Sequence, residues 1–89
     1  MIKNPEFEIT EVSGEFMAIP IGDTAHSFRG IVALNNASAF LLRQMETHKS
    51  KPELVNLLCS EFKVDEATAQ HDVQDFIEKL LSIGVILET

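Results

Sequence analysis

"GIVALNNASAFLLRQ", residues Gly30 to Gln44, changes its period half-way. Up to Leu34 it is an apolar run of strand length; beyond it Phe40, Leu41 and Met45 follow at helical steps. Asn35 or Asn36 is a good N-cap at the changeover, because its side-chain oxygen can accept from an unpaired amide of the first helical turn. Ile31 and Ala33 fall on one face of the strand, Val32 and Leu34 on the other, so both faces are apolar. Such a strand is covered on both sides, or its second side is covered by something not in this chain. No further strand follows until the last few residues, which leaves open what satisfies its free edge.

Upstream, Phe7 to Val12 alternates, with Phe7 and Ile9 on one side and Glu8 and Thr10 on the other. Ser13-Gly14 supplies a turn, and Glu15 to Ile19 returns as the second strand of a hairpin. Pro20 cannot donate to a ladder and ends it; Ile21 to Ser27 reads as a loop, and Phe28 to Leu34 as the third strand. Downstream, the first helix is expected to end near Thr47-His48. Ser50-Lys51-Pro52-Glu53 is a capping box with proline in the first turn. It opens a second helix whose apolar face is Leu54, Leu57, Leu58 and Phe62. Asp65 caps a third and longer helix carrying Ala69, Val73, Phe76, Ile77 and Leu80 at steps of three and four. Gly84 stops it, and Val85 to Leu87 can add a short strand. The order β-β-β-α-α-α defines an α+β fold, a three-stranded antiparallel sheet followed by three helices, winged helix-turn-helix-like. One domain spans residues 1–89, with a few residues at each end left out of the core.

With 89 residues there is room for one modest core and none for a cleft between lobes. Seven basic against fourteen acidic residues give a formal charge of −7, which repels DNA at long range and attracts a basic peptide or the basic face of an enzyme. No run approaches the roughly 20 apolar residues of a membrane span. Met1 to Glu6 has no apolar core behind a basic start, so the expectation is a cytoplasmic protein with no membrane contact. The single cysteine, Cys59, reads as a small buried hydrophobe. No nucleophile stands in a recognised motif, and the three histidines, His26, His48 and His71, form no i, i+4 pair. The reading is therefore non-catalytic, without cofactor or metal.

Three segments together resemble the PqqD-like family, the peptide-binding domains also called RiPP recognition elements. They are Ile31-Val32-Ala33-Leu34-Asn35-Asn36-Ala37-Ser38-Ala39, Lys51-Pro52-Glu53-Leu54-Val55, and Asp72-Val73-Gln74-Asp75-Phe76-Ile77-Glu78-Lys79-Leu80-Leu81-Ser82-Ile83-Gly84-Val85-Ile86. The chain departs from the family pattern at Leu41, where many members carry Trp, and at Thr47-His48-Lys49, where many carry Gly. The resemblance implies a domain that holds the leader of a ribosomally made precursor peptide as an added strand, between the third strand and the third helix. It also implies a separate tailoring enzyme, of the radical S-adenosylmethionine type, to which the leader is presented.

On that footing the candidate site is the edge Arg29, Gly30, Ile31, Val32, Ala33 and Leu34, faced by a stripe on the flank of the third helix: Gln70, Gln74, Ile77 and Leu81. Two alternatives remain. A winged-helix DNA-binding regulator fits the helix order, but Asp65 to Leu81 carries one Lys against five acids. A sheet-edge dimerisation module, the edge pairing with its own copy in a homodimer, fits the open strand.

Overall fold

The computed structural model describes every residue except 24, 26–29 and 89. The strands are β1 (Ile2–Lys3), β2 (Phe7–Val12), β3 (Glu15–Pro20), β4 (Val32–Leu34) and β5 (Ile86–Leu87); the helices are α1 (Asn36–Gln44), α2 (Lys51–Phe62) and α3 (Glu66–Ser82). An antiparallel sheet runs β2-β3-β4, and a separate antiparallel pair joins β1 to β5.

The β2–β3 hairpin turns on two residues, Ser13 (φ 53°) and Gly14 (φ 82°), between the paired Val12 and Glu15. Positive φ at both central positions twists the turn the same way as its strands. Hydrogen bonds alternate along an antiparallel pair. Ile21 N–H donates to Glu6 O at 2.8 Å, which sets the phase: Glu8, Thr10 and Val12 bond with β3, while Phe7, Ile9 and Glu11 direct their backbone groups outward. On β3, Phe16, Ala18 and Pro20 accordingly face β4, in the register Phe16↔Leu34 and Ala18↔Val32.

That phase explains where β4 begins. The expected strand started at Phe28, whereas the observed one starts at Val32. The next bonded pair would have needed an N–H from Pro20, which has none. Toward β2, Pro20 sits opposite Phe7 at a position that needs no N–H, so proline ends one ladder and not the other. Gly30 then bends away at φ 98°. The expectations for Phe28, Arg29 and His26, and for Thr24 and Ser27 of the loop, lie outside the described residues.

Each helix starts on a side-chain cap. Asn35 Oδ1 accepts from Ser38 N–H at 2.7 Å, and Asp65 Oδ1 from Thr68 N–H at 2.7 Å. Ser50 and Glu53 form the reciprocal box, with Ser50 N–H donating to Glu53 Oε1 at 2.9 Å. α1 stops at Gln44, earlier than the sequence suggested, because the Met45 carbonyl accepts the N–H of Lys3 in β1 at 2.8 Å. The core joins Phe7, Ala18, Val32 and Leu34 of the sheet to Leu41, Leu42, Leu54, Leu58, Val73, Phe76 and Leu80 of the helices. On α2, Val55 is buried, Leu57 and Cys59 are half-buried, and Phe62 lies exposed with its ring edge-on to Phe40.

The amino-terminal end, expected to stay outside the fold, is stitched into it. Ile2 pairs with Leu87 and Lys3 with Ile86. Asn4 N–H donates to Val85 O, and Asn4 Nδ2 to Gly84 O at 2.9 Å. Lys3 is 9% exposed; its ammonium donates to Phe7 O at 2.7 Å and lies 3.5 Å from Glu46 Oε1. Such contacts between ends cannot be read from local periodicity. Among the described residues no helix is long and apolar enough to cross a membrane.

Leu54→Ala, at a fully buried position, is expected to lower unfolding stability by about 2–5 kcal/mol in a denaturant titration. Asp65 and Glu53 are held below their ordinary values by the N–H groups of Thr68 and Ser50. Their contribution is therefore full above the unfolded-state values near 3.8 and 4.5 and is lost as pH falls through the lower folded values. Asp65→Asn keeps a cap that cannot titrate, so its melting temperature should fall less between pH 6 and pH 3 than that of the parent protein.

Candidate functional site

β4 is an edge strand three residues long. Val32 and Leu34 turn their backbone groups to β3 and their side chains into the core; Ala33 turns its N–H and C=O away from the sheet. Among the described residues nothing pairs with that side of β4, since the carboxyl-terminal strand β5 is taken by β1. The opposite edge of the sheet is different. At β2, Phe7 N–H donates to Asn4 O at 3.1 Å and Phe7 O accepts the buried ammonium of Lys3, so the chain's own amino-terminal segment closes the start of that edge.

The space beside β4 has two walls. On the outer face Ala33 is exposed and Ile31 is 59% exposed, above a cavity of about 300 Å³ that also touches Met17 and Asn36. Just past the end of β4, a second cavity of about 270 Å³ opens between the first turn of α1 and the middle of α3. Its floor is Leu41, Leu58 and Phe76, all buried, and its α3 rim is Asp72, Asp75 and Lys79. Among the described residues no group of three or more His, Cys, Asp or Glu side chains could hold a metal ion.

Residues 24–86 match the family described as Coenzyme PQQ synthesis protein D (PqqD). The chain belongs to the PqqD family. Two solved structures share its fold. TbiB1, solved in complex with the TbiA(beta) leader peptide, superposes with a TM-score of 0.77 at 19% identity, covering 100% of this chain and 98% of that one. Lasso peptide synthetase B1, complexed with the leader peptide, gives a TM-score of 0.74 at 19% identity, covering 97% of this chain and 95% of that one. No curated protein matches the chain in sequence.

In this PqqD-family chain the residues expected to form the site are divided between two places. Ile31, Val32, Ala33 and Leu34 do stand at or beside an open edge, with Gly30 at the bend before it; Arg29 lies outside the described residues. The α3 stripe is elsewhere. Gln70 lines a different cavity, with Lys51, Pro52 and Val55 at the start of α2, and Gln74 Oε1 accepts from Lys51 Nζ. Ile77 is in the core at 7% exposure, and Leu81 is half-buried against it. At about 100° per residue, Gln70 and Gln74 lie on nearly the opposite flank of α3 from Asp72, Asp75 and Lys79, the residues that face α1 and the end of β4. A wheel projection yields a core stripe and two flanks, and only packing tells which flank meets the sheet. A weak sequence signal for the second flank existed: Phe76 in the core stripe is bordered by charges at i−4, i−1 and i+3.

Hydrogen exchange provides a direct check of the edge. Ala33 N–H should exchange at a rate close to that of an unprotected amide, while Val32 and Leu34, bonded to β3, exchange at least about tenfold more slowly.

Proposed function

We propose that this protein is a non-catalytic binder of a precursor-peptide leader, which it captures as a fourth strand on the open edge of β4. The observation that carries the reading is the outward backbone of Ala33, unpartnered among the described residues and beside an apolar face that none of them covers, in a PqqD-family chain. Support also comes from the two solved structures that share the fold, both of which hold leader peptides. Strand addition gives main-chain bonds that tolerate many sequences and leaves alternate side chains to supply selectivity.

Magnitudes locate the selectivity. Two main-chain bonds at Ala33 contribute roughly 0.5–1.5 kcal/mol each, whereas ordering a flexible peptide costs roughly 2–5 kcal/mol. The backbone alone therefore sets geometry rather than affinity. Net binding must come from side chains, at about 1.5–3 kcal/mol for each Leu- or Phe-sized group buried.

In the proposed role the captured leader is presented to a separate tailoring enzyme, of the radical S-adenosylmethionine type that the resemblance implies, in the cytoplasm. Tethering raises the effective concentration of the peptide's modifiable segment at that enzyme and needs no chemistry from this chain. Pairing of β4 with a second copy would occupy the same edge, so a homodimer of that kind and the peptide complex are mutually exclusive. The DNA-binding reading has little support in the geometry, because Lys79 shares its exposed face of α3 with Asp72 and Asp75.

Ala33→Pro removes the outward N–H while leaving the bonds between β4 and β3 in place. Titrated with the leader encoded beside its own gene, this variant should keep a melting temperature within a few degrees of the parent and lose at least about tenfold in affinity. Unchanged affinity, or amide shifts confined to the β2 edge, would contradict strand addition at β4.

A further inference from the structure

The cavity between α1 and α3 carries a more specific statement about the bound peptide. It rests on the strand-addition reading and adds a side-chain requirement to it. Its volume, about 270 Å³, is just below the roughly 300–1,000 Å³ of small-molecule sites, and suits one extended side chain. The position is also suitable. Residues of an added strand opposite Val32 and Leu34 point to the inner side of the sheet, and the cavity begins at Asn35, one residue beyond the strand.

The lining is graded. At the bottom Leu41 and Leu58 are each 1% exposed and Phe76 6%, an apolar floor fit for a hydrocarbon stem. At the rim are two carboxylates one turn apart, Asp72 and Asp75, both more than half exposed. Among the described residues neither has a lysine or arginine within ion-pair distance: Lys79 stands four residues beyond Asp75 without pairing to it, and the imidazole of His71 lies 3.8 Å from Asp72 and 3.6 Å from Asp75. Lys79 shares the α3 rim with them, and the positive end of α1 lies across the cavity. Those amides are partly satisfied already, since Ser38 N–H is held by Asn35. A side chain with an aliphatic stem and a cationic head matches this gradient from floor to rim. The chain's formal charge of −7 adds long-range attraction for such a head.

We propose that this cavity is the specificity pocket of the peptide site, and that it selects a lysine or arginine at the peptide position facing inward beside the end of β4. The stem packs on Leu41, Leu58 and Phe76, and the head is held between Asp72 and Asp75. These carboxylates are exposed and cap no helix, so removing their charge leaves the fold intact.

The test is selection of binders from a random twelve-residue display library on the intact protein, run in parallel on Ala33→Pro, on the double variant Asp72→Asn/Asp75→Asn and on Lys79→Ala. The expected result has three parts. Binders to the parent carry Lys or Arg at one fixed position; replacing that residue by Ala weakens binding by about tenfold or more. In the double variant the same replacement changes binding by less than about twofold. Lys79→Ala keeps or sharpens the basic preference. Binders that need Ala33 unaltered but show no basic preference, or prefer an acidic residue drawn by Lys79 and the start of α1, would overturn the pocket assignment and leave strand addition standing. Binders indifferent to Ala33→Pro, or none at all, would overturn both.

Discussion

The outward backbone of one residue, Ala33, which has no strand partner among the described residues, organises the proposed binding surface. An edge strand with free N–H and C=O groups is a hazard that most folds cover, shorten or charge. Here it is shortened to three residues by Pro20, whose missing N–H ends the β3–β4 ladder, and by the bend at Gly30. Among the described residues no strand covers it, and the carboxyl-terminal strand pairs with Ile2 and Lys3 instead. The amino terminus therefore acts twice. It withdraws β5 into a separate pair, and through Asn4 and Lys3 it closes the start of the opposite edge at Phe7. Among the described residues one edge is thus closed at its start and the other is open.

A three-residue edge cannot bind a disordered peptide on main-chain bonds alone, because they are worth less than the ordering they require. In the proposed function the side chains around it would then decide which peptide is held. This separates what the fold contributes from what this particular chain contributes. The fold, shared at 19% identity with two solved structures, provides an edge strand in front of a helix. The charges on the facing flank of α3 belong to this sequence, and they are where its selectivity would reside. Such a division fits a scaffold whose function lies in a grafted site rather than in its topology.

Periodicity and punctuation by themselves determined most of the fold. The hairpin, the three helices, their caps at Asn35 or Asn36, at Ser50 and at Asp65, and the core stripe Ala69, Val73, Phe76 and Leu80 follow from spacing and from residues whose short side chains compete for backbone amides. They are local properties, fixed within a few residues. The start of β4 was misplaced although its cause, Pro20, lies in plain view, because the consequence of a missing N–H depends on the hydrogen-bond phase of the hairpin. The pairing of β1 with β5 was not legible at all: two residues at each end of a chain carry no periodic signal, and their affinity is a matter of distance in space. The choice of flank on α3 likewise belonged to tertiary structure. A helix viewed alone has two equivalent sides to its apolar stripe, and only the neighbours it packs against, α1 on one side and the start of α2 on the other, distinguish them.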